Sequence, residues 1–232
     1  MQRKPRLLVV EDEAAIRGGL VDVFVYHGYD VDTAVDGEHG LALALTGRYD
    51  LILLDVMLPR CDGFSVCEAV RAADRSQPII MLTAKSAEAD VIQGLSLGAD
   101  DYVAKPFSVA QLVLRVQAVL RRTRSEPTTA AIRLNDGIEI DTRNLSASVG
   151  ADDVQFTRRE IEVLQYLAAN AERPVPREEL LHKVWGYAKH LDIETRTVDI
   201  HIAKLRRKLE ADVKHPRHLL TVRGGGYRLV TA

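Results

Sequence analysis

The residues best suited to chemistry are carboxylates that directly follow short apolar runs. Glu11 and Asp12 follow the run LLVV, and Asp55 ends the run LILLD. Three carboxylates brought close together repel one another and need a cation, and oxygen ligands in a small, hydrated octahedral site are typical of Mg²⁺. A carboxylate can also act as a nucleophile towards phosphorus and form an acyl phosphate. These residue types therefore favour magnesium-assisted phosphoryl transfer.

Two further side chains that suit this chemistry also end apolar runs. Thr83 ends PIIMLT, and Lys105 follows DYVA. A hydroxyl donor and an ammonium would stabilise charge on the equatorial oxygens during in-line transfer. Each residue alone has an ordinary structural explanation, since an acidic pair or a threonine often caps a helix and Lys105 precedes Pro106 in a turn-like dipeptide. Their joint placement after four different apolar runs favours a functional cluster.

The elements that must position these residues alternate along the first half of the chain. The runs RLLVV, LILLDV, PIIMLTA and DYVAKP, with the shorter YDVDTA, are separated by helix-periodic segments such as AAIRGGLVDVFVYHG. This alternation predicts an α/β fold of five βα units, a doubly wound parallel sheet covered on both faces. Ligands collect outside the carboxyl ends of the strands in such a sheet, so the five side chains should converge at one edge.

A short polar stretch divides the chain. It contains Pro127 and has nothing to bury, so we assign a linker at residues 123–130 between domains of residues 1–122 and 131–232. In the second domain, the short runs AIRL, GIEID, LSASV and DVQF predict a small antiparallel sheet.

Three helices and a hairpin should follow that sheet. Thr157 and Glu160 stand at capping-box spacing at the start of TRREIEVLQYLAAN, which predicts the first helix. A second helix is expected after Pro176 and a third over about residues 195–210, and HLLTVRGGGYRLV predicts a glycine-centred hairpin. The sequence therefore predicts an α+β second domain.

The third of these helices has an apolar face and a basic face. The apolar stripe consists of Val198, Ile202, Leu205 and Leu209. The opposite face consists of Arg196, Ile200, Ala203, Lys204 and Arg207, with His201 and Lys208 on its flanks. Residues 196–228 carry nine basic and three acidic side chains, although the whole 232-residue chain has a net charge of −2. Such a helix suits the major groove of DNA, and a membrane-surface or partner-binding helix is the alternative.

The motifs VVEDE, LLDVMLPRCDG, MLTA and GADDYVAKPF resemble those of the response-regulator receiver family in order and spacing. The resemblance covers about residues 5–122 and implies that Asp55 is the phosphoacceptor. It implies that Mg²⁺ is held by Glu11, Asp12, Asp55 and the backbone carbonyl of Met57. It further implies that Lys105 pairs with the phosphoryl group and that its peptide bond to Pro106 is cis. Thr83 would bind a phosphoryl oxygen, and the small Ala84 would leave room for the phosphoryl group. Tyr102 would be the aromatic switch residue, which turns inward when Thr83 binds that oxygen.

The motifs FTRREIEVLQYL, PREELL, VWG, TRTVDIHIAKLRRKLE and TVRGGGYRL resemble the winged-helix effector domain of the OmpR/PhoB subfamily over roughly residues 131–231. Carried over by position, the residues implied to face bases are Arg196, Ile200, Ala203 and Lys204. Those implied to touch phosphates are Thr197, Arg206 and Thr221, with Arg223 in the wing. Two positions depart from the pattern, because Ala203 replaces a longer polar side chain and Pro176 replaces a Ser/Thr cap.

The same resemblance implies that active receivers form a homodimer through the fourth helix, fifth strand and fifth helix. The family's bridging positions correspond here to Asp100, Asp101, Arg115 and Arg122. Val91 and Gln111 stand where the family usually has an ion pair across the interface. We expect that loss to change the dimer by only about 0–1 kcal/mol.

Together these features predict a phosphorylation-dependent transcription factor rather than an enzyme. The expected partners are a sensor histidine kinase, double-stranded promoter DNA and RNA polymerase. A haloacid-dehalogenase-like phosphatase would need an aspartate where Met57 stands, and a DNA-binding protein with a vestigial receiver would lack the intact cluster. No apolar run approaches the roughly 20 residues of a membrane span, so a cytoplasmic location is expected. Cys61 and Cys67 are expected to be reduced, with a redox switch as the minor alternative.

Overall fold

The computed structural model describes residues 3–83, 88–123, 131–187 and 196–232, and side chains within these ranges except those of 88–92, 122 and 123. The chain divides into two compact units, Met1–Thr123 and Arg124–Ala232. Residues 124–130, which make up most of the assigned linker, lie outside the described residues. Among the helices that are described, none is long and apolar enough to cross a membrane.

The first unit is the predicted five-fold alternation of strands and helices. Its strands are β1 (Arg6–Val10), β2 (Asp30–Ala34), β3 (Leu51–Asp55), β4 (Ile79–Thr83) and β5 (Asp101–Ala104). All of them pair in parallel, in the order β2-β1-β3-β4-β5. Its helices are α1 (Ala14–Tyr26), α2 (Gly37–Ala44), α3 (Gly63–Ala73), α4 (Glu88–Leu97) and α5 (Val109–Thr123).

Burial of the sheet on both faces explains why its strands are so apolar. Every residue of β3 and β4 is buried, and so are the last four residues of β1. One core cluster packs α1 and α5 against the sheet through side chains such as Phe24, Leu53 and Leu112. Because all five strands run parallel, their carboxyl ends form a single edge, and the candidate residues lie there.

The second unit contains the predicted small sheet, three helices and a hairpin. The sheet is antiparallel and runs β6 (Ala131–Arg133), β7 (Glu139–Asp141), β8 (Ser146–Val149) and β9 (Asp152–Gln155). The helices are α6 (Arg158–Ala168), α7 (Arg177–Leu180, continued by a π-helical turn at Leu181–Trp185) and α8 (Arg196–Leu209). The antiparallel hairpin is β10 (Leu219–Val222) and β11 (Gly226–Leu229).

Two local features of this unit follow directly from residue type. The Thr157 side chain accepts a hydrogen bond from the Glu160 amide, and the Glu160 carboxylate accepts one from the Thr157 amide, which confirms the predicted capping box. Gly226 begins β11 with φ of +103°, and a side chain there would meet the carbonyl oxygen of Val175 at 2.1 Å. The glycine therefore allows Val175 and Tyr227 to exchange backbone hydrogen bonds of 2.7 and 2.9 Å. This contact ties the hairpin to the segment that precedes α7.

Candidate functional site

Three carboxylates meet at the carboxyl edge of the parallel sheet. Glu11, Asp12 and Asp55 each offer an oxygen atom, and these atoms lie within 4.8 Å of one another. Glu11 and Asp55 are buried, whereas Asp12 is exposed. Glu11 and Asp12 follow β1 and Asp55 ends β3, and these two strands are hydrogen-bonded neighbours. The parallel pairing therefore brings together the residues that the sequence places 43 positions or more apart.

Lys105 supplies a positive charge to this cluster. Its Nζ lies 2.7 Å from Glu11 Oε2 and 2.9 Å from Asp55 Oδ2. Burial opposes the charged form of this lysine, but hydrogen bonds to the two carboxylates outweigh it and raise the pKa of the Lys105 ammonium. The peptide bond from Lys105 to Pro106 is cis, as the sequence resemblance implied.

Burial also acts on the Glu11 carboxylate. It raises the pKa of Glu11, and the nearby charge of Asp55 acts in the same direction, while the hydrogen bond from Lys105 opposes both. Three carboxylates facing one ammonium leave an excess of negative charge in a partly buried place. This excess negative charge is carried by oxygen ligands alone, which fits a hard divalent cation such as Mg²⁺.

The backbone around Asp55 is shaped for close approach. Asp55 Oδ1 accepts a hydrogen bond of 3.3 Å from the amide of Met57, whose side chain is exposed. Gly63, the first residue of α3, donates its amide to Val56 O at 2.9 Å. A side chain at Gly63 would meet the carbonyl oxygen of Asp55 at 2.1 Å, so glycine is needed where the loop folds back onto the end of β3.

Thr83 and Tyr102 lie on the neighbouring strands β4 and β5. Asp55 pairs in register with Leu82, so the fully buried Thr83 lies one residue further along β4. Tyr102 pairs with Met81, and its side chain is only 8% exposed, which is an inward position. Ala84 and the three residues after it lie outside the described residues.

The backbone of the acidic loop has a side-chain partner that the sequence pattern did not indicate. Arg17 Nη1, on α1, donates hydrogen bonds to the carbonyl oxygens of Glu11 and Asp12 at 2.7 and 2.9 Å. It therefore holds the loop through its backbone, immediately beside the carboxylates.

Three residues implied to bridge a dimer, Asp100, Asp101 and Arg115, are paired within the chain, and their role in a dimer stays a prediction. Asp100 is buried, and its Oδ2 binds Arg71 Nη2 at 2.9 Å and the amide of Ile79 at 2.8 Å. Asp101 pairs with Arg115 of the same chain at 2.8 Å. The reason is packing, because α5 lies against the start of β5 and brings the guanidinium onto the carboxylate. The side chains of Arg122 and Val91 lie outside the described residues.

In the second unit, helix α8 buries the predicted apolar stripe. Val198, Ile202, Leu205 and Leu209 are at most 1% exposed and belong to the core. The opposite face is less open than the helical period suggests. Thr197, Ile200 and Lys204 are each 8% exposed, and the flanking His201 is 1% exposed. Ile200 and Lys204, which the resemblance implies face bases, are therefore largely buried in this structure, and their contact with bases stays a prediction.

An ion pair with Glu160, the capping-box carboxylate, explains why the Lys204 side chain is buried. Its carboxylate is fully buried, with Lys204 Nζ at 3.3 Å from Oε1 and Lys208 Nζ at 2.6 Å from Oε2. Burial alone would raise its pKa, but the charges of Lys204 and Lys208 outweigh burial and lower the pKa of Glu160 to about 2. The two lysines are one helical turn apart, so a single carboxylate on α6 binds two successive turns of α8.

His201 lies on the same side of α8 as Lys204, and its imidazole ring is buried and neutral. Its Nδ1 is 2.9 Å from Thr197 O, and its ring packs edge-on to Trp185 with 5.1 Å between centroids. Burial lowers the pKa of His201 to about 4, and the charge of Lys204 adds to the effect. This histidine is therefore a packing residue of the helix and not an exposed flank.

A second polar network joins α7, α8 and the hairpin. Asp199 Oδ1 binds Arg177 Nε at 2.6 Å and the hydroxyl of Tyr227. Burial raises the pKa of Tyr227 to about 12, and its hydrogen bond to Asp199 acts in the same direction. Arg206 reaches the hairpin as well, donating to Leu219 O at 2.7 Å and to Thr221 Oγ1 at 2.7 Å. The helix and the hairpin are therefore fixed to each other by charged side chains.

The side chains that remain exposed define the surface available to a partner. Two arginines of α8, Arg196 and Arg207, are exposed, and so are Thr221 and Arg223 of the hairpin. Ala203 lies between the two arginines along α8 and is half-buried. We call these five residues the basic surface.

Comparison with known proteins identifies both units. Residues 7–117 match the response regulator receiver domain family, and residues 151–229 match the family described as transcriptional regulatory protein, C terminal. A probable transcriptional regulator, ycf27 of Guillardia theta, is 42% identical over 98% of this chain and 91% of its own. Response regulator ArlR of Staphylococcus haemolyticus is 41% identical over 95% of this chain and 97% of its own.

A solved structure shows the same organisation. That of response regulator DrrB, described as a Thermotoga maritima OmpR/PhoB homologue, is 29% identical to this chain. The match covers 98% of this chain and all of that one, with a TM-score of 0.53. Fold and site thus define a transcriptional regulator that carries a receiver domain. The chain belongs to the OmpR/PhoB-type response regulators, in which a receiver is joined to a C-terminal DNA-binding domain.

Proposed function

We propose that Asp55 accepts a phosphoryl group from a sensor histidine kinase and that this modification controls binding of the second unit to promoter DNA. The convergence of Glu11, Asp12 and Asp55 within 4.8 Å, with Lys105 on two of them, is the observation that carries the proposal. Structural ion pairs rarely need three carboxylates at one strand edge, whereas phosphoryl transfer needs a nucleophile, a cation site and a fixed positive charge.

In the proposed reaction, a carboxylate oxygen of Asp55 forms a bond to phosphorus as the phosphorus–nitrogen bond of a phosphohistidine breaks. The imidazole leaves with the electron pair of that bond and takes up a proton. Lys105, which already contacts Asp55 Oδ2 at 2.9 Å, offsets negative charge on the acyl phosphate. The Thr83 hydroxyl donates to a phosphoryl oxygen, and Tyr102 occupies the adjacent inward position.

Mg²⁺ would be held by the carboxylates of Glu11, Asp12 and Asp55 and by the backbone carbonyl of Met57. Bound there, it supplies positive charge to the transferring phosphoryl oxygens. Glu11 and Asp12 do not act as nucleophiles in this account, because their role is to hold the cation.

Labelling with radioactive acetyl phosphate tests the proposal. The wild-type protein should incorporate label in the presence of Mg²⁺, and Asp55→Asn should incorporate none while keeping its circular dichroism spectrum. Asp22→Asn makes the same chemical change at an exposed position on α1 and should label like the wild type. Equal labelling of the Asp55 and Asp22 variants would refute the assignment of Asp55.

For the second unit, we propose that the basic surface contacts DNA. Arg196, Ala203 and Arg207 would approach base edges from α8, and Thr221 and Arg223 would contact phosphates. Arg206, which lies beside the basic surface, would contact a phosphate as well. Arg206 already bridges α8 and the hairpin, so its contact would place both elements on one strand of the duplex. Lys204 is not included, because its ammonium is bound to Glu160.

Salt dependence separates these roles. Binding to a random-sequence duplex should weaken as salt rises, because each neutralised phosphate releases counterions. Arg223→Ala should reduce the slope of log K against log salt by about 1. Lys204→Met should leave that slope unchanged, because the Lys204 ammonium pairs with Glu160 inside the domain and does not neutralise a phosphate. A slope that falls equally in both variants would show that Lys204 reaches the phosphates.

We further propose that the phosphorylated receiver forms a homodimer through α4, β5 and α5, and that RNA polymerase is a further partner of the bound dimer. The exposed apolar side chains of Val109 and Leu114 on α5 support the use of this face. Asp100, Asp101, Arg115 and Arg122 stand at the family's bridging positions and would lie at this interface, where Asp101 and Arg115 already pair with each other within the chain.

A further inference from the structure

The loop between β1 and α1 carries two of the three clustered carboxylates. Its first residue, Glu11, is fixed to the sheet, because its amide donates to Ala34 O at 3.1 Å. Its last residue, Glu13, occupies the N-cap of α1 with extended backbone and makes no side-chain cap hydrogen bond. The shape of the loop between these points decides where the carboxylates of Glu11 and Asp12 lie.

Arg17 holds the loop from one turn inside the helix. A single nitrogen, Nη1, donates to the carbonyl oxygens of Glu11 and Asp12 at 2.7 and 2.9 Å. The backbone amide of Arg17 donates to Glu13 O at 2.9 Å. Within the described part of the chain, Arg17 forms no ion pair with the carboxylate of Glu11 or Asp12, so it occupies no carboxylate oxygen of the cluster. Glu11 Oε2 binds Lys105 at 2.7 Å, and Glu11 Oε1 accepts a hydrogen bond of 3.3 Å from the amide of Glu13.

The loop needs such a partner for two physical reasons. Three carboxylates within 4.8 Å repel one another, and in an unconstrained loop Glu11 and Asp12 would separate. The helix that follows offers little support of its own, because α1 has no acidic residue in its first turn and continues through Gly18 and Gly19. Each glycine weakens a helix by about 1 kcal/mol relative to alanine.

We propose that Arg17 is a positioning residue of the cation site, which fixes the carboxylates of Glu11 and Asp12 by binding their backbone carbonyls. The inference rests on the proposed Mg²⁺ site and adds a residue that touches neither the cation nor the phosphoryl group. It also predicts a geometric requirement. One nitrogen must reach two carbonyls from a rigid, planar group, which a lysine ammonium on a flexible stem does less well.

Calorimetric titration of the full chain with MgCl₂ tests this, because it reads cation binding without any phosphoryl transfer. Arg17→Ala should weaken Mg²⁺ binding by about tenfold or more, the usual effect of losing a partner that orients metal ligands. Arg17→Lys should recover only part of the affinity. Arg48→Ala removes one positive charge from an exposed arginine just before β3, at the opposite edge of the sheet, and should bind Mg²⁺ like the wild type.

Each outcome decides between separate claims. Unchanged Mg²⁺ affinity in Arg17→Ala, with normal binding by the wild type, would overturn the role of Arg17 and leave the cation site standing. Full recovery in Arg17→Lys would show that Arg17 acts through charge alone, and positioning would be wrong. Absence of Mg²⁺ binding by the wild type would overturn the cation site and the inference together. If Arg17→Ala fails to fold, the comparison of Arg17→Lys with Arg48→Ala carries the test.

Discussion

Replacement of Glu160 by glutamine should destabilise the second unit strongly at neutral pH. Glutamine can still accept the capping hydrogen bond from Thr157, because either Glu or Gln completes a capping box. What it removes is the negative charge facing Lys204 and Lys208, whose side chains are 9% and 25% exposed. Breaking a buried ion pair by removing one partner costs about 3–5 kcal/mol, so Glu160→Gln should lower the free energy of unfolding by that amount.

The pH dependence of the unfolding free energy gives a second measure of how much the Glu160 charge stabilises the fold. The pKa of Glu160 falls from 4.5 to about 2 on folding, so its charge stabilises the folded state above pH 4.5. That stabilisation is lost as the pH falls towards 2. At 1.36 kcal/mol per pH unit, the difference in unfolding free energy between wild type and Glu160→Gln should shrink by about 2 kcal/mol between pH 5.5 and pH 3. The full loss would be about 3 kcal/mol.

The chain provides a convenient probe of this unit. Trp185 is its only tryptophan, is 1% exposed, and lies in the core beside Arg159 and His201. Urea unfolding followed by tryptophan fluorescence therefore reports the second unit within the full chain. Glu139→Gln breaks an exposed pair with Arg133 and should cost no more than about 1 kcal/mol. A loss below 1 kcal/mol for Glu160→Gln, or a difference that stays flat with pH, would refute the account of Glu160.

Three further substitutions test other parts of the structure. Arg115→Ala removes the ion pair of the buried Asp101 carboxylate and should lower receiver stability by about 3–5 kcal/mol in scanning calorimetry; a shift under 1 kcal/mol would contradict the buried pair. Leu114→Arg should keep the phosphorylated protein monomeric in sedimentation, whereas Val25→Arg, at an apolar position of similar exposure on α1, should not; dimers in both would place the interface elsewhere. Tyr227→Phe removes a hydroxyl that binds a carboxylate on α8 and should cost about 1.5–3 kcal/mol by urea unfolding, and a neutral effect would show that this contact contributes nothing.

The features that could be predicted from the sequence are those set by local patterns or by strand order. The capping box of Thr157 and Glu160 is a four-residue pattern, and the alternation of apolar runs and helices determines a parallel sheet. Once the strands are parallel, Glu11 and Asp55 must meet at one edge. No knowledge of side-chain contacts is needed for that conclusion.

The features that the sequence did not reveal depend on long side chains reaching distant partners. Helical periodicity places Lys204 on the polar face of α8, and it cannot show that a buried carboxylate 44 residues earlier binds the ammonium. The same holds for Asp100, whose partner Arg71 comes from α3. Arg17 is closer in sequence, but its partners are backbone carbonyls, which leave no trace in residue types.

Location of the phosphoryl group in the intact protein tests the central claim most directly. The wild-type chain would be treated with acetyl phosphate in the presence and absence of Mg²⁺, reduced with borohydride to trap the acyl phosphate, and digested for peptide mass spectrometry. The account predicts a single reduced residue, Asp55, that appears only with Mg²⁺ and is lost when Glu11 and Asp12 are both replaced by their amides. Modification of Asp12 in place of Asp55, or modification of Asp55 that does not depend on Mg²⁺, would contradict it.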